Sequence, residues 1–365
     1  MRFLKHHSPL NLALQGGGAH GAFTWGVLDR LLEDEHIEIG WISGTSAGAV
    51  NAVALAAGLS EGGREGARKK LRQVWEAVHK AGLPDLLRLN PFLFGLSRSS
   101  AVAQMASLWS PYDFNPLGID PFRNLLNDTI DFERVRASSQ VELLIAATDL
   151  ATGRARLFRR HEMTVDAVLA SACLPTLHRT VEIDGSGFWD GGFVKNPDLV
   201  TLALESPHED TLLVHISSAV TQAVPTGVRE IASVANRLTF NAPLIRDIEL
   251  IEAVRETAGP QRFGARAKGR FAPLARHRFH LIESGLYTRS LPDDSKMKPD
   301  LGMLTYLFGA GQTQAHKWLG RHRDAVGRRS SVDLKARFLT QQTAGAADEP
   351  LLLEKPPTTS LEQIE

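Results

Sequence analysis

Residues 10–15 (Leu-Asn-Leu-Ala-Leu-Gln) place leucine at every second position, and that period predicts a strand. From Ala22 to Glu35 the apolar period changes to that of a helix, with Trp25, Leu28, Leu31 and Leu32 on one face. Ile37–Ser43 reads as a second, buried strand, and Ala49–Ala57 as a helix. Gly62 and Gly63 mark a break before a charged amphipathic helix over 64–80 carrying Leu71, Val74, Trp75 and Val78. Further on, 141–148 is a strand, Asp149–Gly153 a turn and Arg154–Phe158 a hairpin partner. Thr164 caps a helix that ends near Cys173 and is stopped by Pro175. Val181–Ile183 turns through Asp184–Gly187 into Phe188-Trp189-Asp190-Gly191-Gly192. Leu212–Ser217 and His280–Glu283 read as strands, 241–257 and 301–325 as helices.

Strands alternating with helices imply one α/β domain, taken as residues 8–330 with a motif-bearing core at 10–220. The polar, proline-containing segment 340–365 is expected to be a flexible tail. Residues 81–125 carry prolines at 84, 91, 111, 116 and 121 among aromatic residues. Two readings stand for that stretch: a cover over a lipid-binding cleft, and a packed but irregular connection.

Composition narrows the function. Apolar residues make up 43% of the 365, enough for a substantial core. Lysine plus arginine equal aspartate plus glutamate at 41 each, so the basic surplus of a general nucleic-acid binder is absent. The one cysteine, Cys173, excludes an intrachain disulfide and fits a reducing compartment; its apolar surroundings suit a core residue. No apolar run approaches the ~20 residues of a membrane span. The run at Leu10–Leu14 is too short for a secretory core of ~7–15 apolar residues. The expected location is cytoplasmic, with peripheral membrane contact as a further expectation. His6-His7 and Asp293-Asp294 do not form a metal-ligand cluster, and no metal or other cofactor is expected.

Chemistry concentrates in three segments. Gly44-Thr45-Ser46-Ala47-Gly48, between a strand and a helix, has the form of a nucleophile elbow. The tight turn presents the Ser46 hydroxyl at the sheet edge, beside the N–H groups of a helix start. Gly44 and Gly48 are small where strand and helix backbones meet. Gly16-Gly17-Gly18-Ala19-His20-Gly21 formally matches a dinucleotide fingerprint, but no acidic residue closes the second strand to hold a ribose. The alternative is an oxyanion hole, in which backbone N–H groups meet the charge that develops in acyl transfer. Tight-turn glycines without that role are the plainer reading.

Ser46 needs a base. His215 and His280 follow Asp190, so a serine–acid–histidine order is open; the elbow, however, comes early, after about one strand. Asp190-Gly191-Gly192 places a carboxylate at a strand end beside an open loop. An aspartate of ordinary pKa (~3.9) is a weak base, and burial strengthens it. Asp-Gly-Gly is also a common turn composition.

Together the glycine loop, the early Gly-x-Ser-x-Gly and the later Asp-Gly-Gly resemble the patatin-like phospholipase family, over roughly residues 10–220. Ala170-Ser171-Ala172-Cys173-Leu174-Pro175 resembles that family's small-residue helix end and proline. The resemblance implies a three-layer α/β/α fold with a central, mostly parallel sheet. It implies a bacterial-type lipid acyl hydrolase acting through an acyl-enzyme, with Ser46 as nucleophile, Asp190 as base and the N–H groups of Gly16, Gly17 and Gly18 as oxyanion donors. His20, Gly21, Gly44, Gly48, Gly191 and Gly192 support these motifs. Two positions depart from the pattern: Gln15 stands where the family often has aspartate, and His20 where it often has arginine or lysine. A histidine there is only partly charged near pH 7, so a cation that steadies the loop or an anionic head group would add pH dependence; a histidine that simply packs or hydrogen-bonds is the plainer reading.

The implied partner is a lipid or ester substrate. An acyltransferase using the same acyl-Ser46, and a non-catalytic lipid-binding protein on the same fold, are the alternatives. From 262 to 279, Arg262, Arg266, Lys268, Arg270, Arg276 and Arg278 alternate with Phe263, Phe271 and Phe279. That stretch reads either as a dock for an anionic lipid surface or as a solvated loop with inward phenylalanines.

Overall fold

Alternation along the strands sends their side chains to two separate cores. In β1 (Leu10–Leu14), Leu10, Leu12 and Leu14 join one core while Ala13 joins the other. In β3 (Leu143–Asp149), Leu143, Ile145 and Ala147 face the first and Leu144 the second. β7 (Asp210–His215) does the same with Leu212 and Val214 against Leu213. A sheet with apolar side chains on both faces must be covered on both, and this one is. The computed structural model describes residues 9–88, 110–115, 117–217, 224–258, 269–289, 291, 293–297 and 299–340.

The sheet order is β5-β6-β3-β2-β1-β7-β8, with β4 (Ala155–Arg159) paired to β3. β2 is Ile39–Gly44, β5 Val181–Ile183, β6 Ser186–Asp190 and β8 Arg278–Glu283. β3, β2, β1, β7 and β8 run parallel; the pairs β3/β4, β3/β6 and β5/β6 are antiparallel. The chain thus has a mostly parallel central sheet layered by helices. Helices α1 (Gly21–Glu33), α2 (Ala47–Arg88), α3 (Val165–Ser171) and α6 (Leu301–His322) supply the first core. Helices α4 (Leu199–Glu205) and α5 (Val228–Ala258) supply the second.

Helix α2 reverses at the predicted glycine break. Gly63 has φ +62°, and a Cβ on Gly58 would lie 2.4 Å from the Ala67 Cα. Nine residues of straight helix would span about 13 Å. After the bend, the Arg64 guanidinium donates to the carbonyls of Leu32, Asp34 and Ile37 and ties α2 to the end of α1.

Two expectations change. Helix α5 begins at Val228, well before 241, and contains Pro243. Its second half packs Leu244, Ile248 and Ile251 into the core, whereas Val228, Ile231 and Leu238 are exposed, so no apolar period marks its start. Of the basic–aromatic stretch, Arg262, Phe263, Arg266 and Lys268 lie outside the described residues, as does the tail at 341–365. The remainder is partly structural. Phe279 is buried in the second core, Arg278 binds Asp210 and Glu209, and Arg276 binds Glu209 at 2.6 Å. Arg270 and the exposed Phe271 stack on one another. No helix among the described residues is long and apolar enough to cross a membrane.

Candidate active site

β1 and β2 are parallel neighbours, so the loops after them open at the same sheet edge. Ser46 follows β2 with φ +54°, a backbone region that non-glycine residues adopt at a cost. The turn is held by Gly48 N–H to the Thr45 carbonyl (2.8 Å) and by Thr45 N–H to the Leu14 carbonyl (3.3 Å). Gly48 lies so close to β1 that a Cβ there would sit 2.1 Å from the Leu14 carbonyl oxygen. The two glycine-bearing loops touch: a Cβ on Gly21 would meet the Ala47 Cβ at 2.7 Å, and one on Gly16 the Ser46 Cβ at 2.8 Å.

Asp190 ends β6, next to β3 and one strand further from β2. Its N–H donates to the Cys173 carbonyl (2.8 Å), and its carbonyl accepts from Thr148 Oγ1 (2.7 Å). Its Oδ1 accepts the Gly192 N–H at 2.7 Å, and the Ser46 side chain is near enough to its carboxylate to lower its pKa. The side chain is 1% exposed. Burial pushes its pKa up to about 7, against the pull of Gly192 and Ser46. A carboxylate in that range takes up and returns protons near neutral pH.

The glycine loop differs from expectation at one position. The Gly16 N–H already donates to Asn196 Oδ1 at 2.7 Å. That leaves Gly17 and Gly18, whose N–H groups have no acceptor among the described residues. Gly18 has φ +57°, and a Cβ there would sit 2.3 Å from the Lys296 carbonyl oxygen. Asn196 is itself fixed, its Nδ2 donating to the Phe240 carbonyl (2.9 Å). Gln15 caps the neighbouring strand end: its Oε1 accepts Ile216 and Ser217 N–H, and its Nε2 donates to Asn241 Oδ1 (3.1 Å). An aspartate could accept the same pair but could not donate to Asn241.

His20 is not partly charged near pH 7. It is 4% exposed, its Nε2 meets Ser295 Oγ at 2.7 Å, and its Nδ1 has no partner among the described residues. Burial, followed by Lys296, lowers its pKa to about 4. Among the residues lining the cavity, Asp190 is the carboxylate whose pKa is raised toward neutrality. His215 pairs with Glu283, and the fully buried His280 lies between Asp210 and Ser331; neither lines the site. His178 does line it. Its Nδ1 accepts the Leu174 N–H (3.3 Å), and burial lowers its pKa. Nothing in the loop sequence around Asn196 signals its role, because it acts through distant partners.

Ser46, Asp190 and Gly16–Gly18 lie together on a cavity of about 680 Å³. Its walls include Val50, Trp75, Leu125, Leu169 and Phe240, and Tyr112 and Ile119 come from the proline-rich stretch. Cys173 also lines it, with burial raising its thiol to about 11, so it is no thiolate nucleophile. Among the described residues, no group of three or more His, Cys, Asp or Glu side chains could hold a metal ion.

A model of the patatin-like phospholipases matches residues 12–203, more than half of the 365. The chain belongs to the patatin-like phospholipase family. Its matched region contains the end of β1, the elbow, Asp190 and Asn196. Among solved structures, VipD from Legionella pneumophila is 16% identical, with a TM-score of 0.42 over 87% of this chain and 67% of that one. A chain of the SpcU–ExoU complex from the type III secretion system of Pseudomonas aeruginosa is also 16% identical, with a TM-score of 0.23 over 91% and 67%. No curated protein matches.

The raised pKa of Asp190 makes a base role for it testable in this patatin-like chain. With Asp190 as the base of an ester hydrolysis, kcat/KM is expected to rise with pH and level off above a midpoint near 7. A pH profile with a soluble ester checks this; a flat profile between pH 5 and about 9 would count against Asp190 as the base.

Proposed function

We propose that the chain is a lipid acyl hydrolase working through a Ser46–Asp190 dyad. The observation that carries this reading is the buried Asp190 carboxylate, set beside a serine in a strained elbow on one apolar-walled cavity. Ser46 Oγ attacks the ester carbonyl carbon while its proton passes to Asp190. The carbonyl oxygen becomes an oxyanion held by the Gly17 and Gly18 N–H groups. Asp190 returns the proton to the leaving oxygen as the ester C–O bond breaks, and the alcohol or lysolipid departs. Water then gives a proton to Asp190 and attacks the acyl-Ser46. Collapse of that second intermediate expels Ser46 Oγ, which recovers the proton, and the fatty acid is released. The working unit spans 8–330, and its substrate is an ester with at least one apolar chain.

Free fatty acid measured after incubation with mixed phospholipid–detergent micelles tests the proposal. Wild type is expected to release it, and Ser46→Ala is not. Equal release from both proteins, or none from folded wild type on any phospholipid or neutral ester offered, would overturn it.

A further inference from the structure

One segment touches the backbones of both proposed catalytic residues. Ser171, the last residue of α3, is fully buried, and its Oγ accepts the Ser46 N–H at 3.0 Å. Two residues on, the Cys173 carbonyl accepts the Asp190 N–H at 2.8 Å. Ser46 and Asp190 are 144 positions apart and stand on strands separated by β3, so no direct strand pairing fixes their distance. The span 171–173 supplies that link, since it grips one backbone through a side chain and the other through a carbonyl.

The grip falls where the chain is strained. Ser46 is one of two non-glycine residues with positive φ among the described residues, and strain at such a position persists only when the surroundings hold it. The segment is itself well anchored. Thr164 caps α3, accepting the Ala167 N–H at 3.2 Å, and the Ala172 N–H reaches the Leu169 carbonyl at 3.1 Å. Ser171 does not line the cavity and so does not meet the substrate.

We infer that Ser171 is a positioning residue of the acyl-transfer site, holding the Ser46 backbone at the angle from which its hydroxyl reaches Asp190. The inference rests on the dyad reading given above. It makes α3 and the turn after it a bracket between nucleophile and base. Sequence alone offers only a run of small residues before Pro175.

Ser171→Ala removes the acceptor without adding bulk. Its kcat is expected to fall by up to about 100-fold, because small misplacements at a reacting centre have effects of that size. KM is expected to stay near wild type, since the cavity wall is unchanged. The kcat/KM midpoint is expected to rise, because the Ser46 contact that lowers the Asp190 pKa is loosened. Ser171→Thr, which keeps the hydroxyl, is expected to recover much of the loss. Asp131→Ala serves as a structural control: it removes a helix cap outside the bracket, where Asp131 Oδ1 accepts the Arg134 N–H at 3.0 Å, so stability falls while kcat and the pH midpoint hold. Wild-type kcat and midpoint in Ser171→Ala would overturn the inference, as would an Asp131→Ala profile identical to that of Ser171→Ala.

Amide hydrogen exchange at Ser46 reads the bracket without relying on turnover. Faster exchange in Ser171→Ala than in wild type supports it, and equal protection overturns it. Absence of hydrolysis in wild type with faster exchange in the variant would sink the hydrolase reading and leave the bracket standing.

Discussion

Replacing Asp190 with asparagine is expected to lower kcat for ester hydrolysis by about 10⁴-fold, the scale seen when a triad acid is replaced by its amide. Asparagine keeps the shape and can still accept the Gly192 N–H, but it cannot take the proton of Ser46. The same change is expected to stabilise the fold above pH 7. Burial raises the Asp190 pKa from 3.8 to about 7, so between those values the folded chain keeps a proton that the unfolded chain has lost. Stability from this group therefore falls as pH rises through that window. The full difference corresponds to on the order of 4 kcal/mol. Denaturant titrations at pH 5 and at about 8.5 check it: Asp190→Asn should gain over wild type at the higher pH much more than at the lower. Ser46→Ala should lose activity to a similar extent without this pH-dependent gain. An Asp190→Asn protein that retains activity would remove aspartate from the mechanism.

Gly48→Ala is expected to destabilise the protein by at least about 3 kcal/mol, the upper end of ordinary overpacking. The added methyl would sit 2.1 Å from the Leu14 carbonyl oxygen and 2.7 Å from its carbon, both backbone atoms of a central strand. No side chain can rotate away, so β1 and α2 must separate at the elbow. Gly62→Ala makes a matched control, because a Cβ there meets nothing within 4 Å. That variant should stay within about 1 kcal/mol of wild type or gain slightly. Denaturation midpoints of the two proteins measure the contrast. A Gly48→Ala protein as stable as wild type would mean that strand and helix approach less closely than described.

The elements with a strong local period were legible. β1, β3 and α1 declare themselves by alternation or by a helical apolar face, and the elbow by glycines that steric contact demands. What the sequence left hidden acts across distance. The Gly16 N–H is taken by Asn196, 180 positions away, so the proposed mechanism draws its oxyanion donors from Gly17 and Gly18. Ser46 is steadied by Ser171, 125 positions away. His20 looked ionisable because composition carries no information about burial, and burial fixes it neutral. Of the two readings of the basic stretch, the inward phenylalanine holds at Phe279, and its partners Glu209, Asp210 and the core lie elsewhere in the chain. Helix α5 hid its first half because that half exposes its apolar residues.

The central claim is that Ser46 is a nucleophile activated by Asp190. It is tested most directly by labelling the folded protein with a fluorophosphonate probe and mapping the adduct by mass spectrometry. The predicted result is a single adduct on Ser46, formed faster as pH rises through about 7 and suppressed in Asp190→Asn. An adduct on another residue, equal labelling in Asp190→Asn, or no adduct on folded wild type would contradict it.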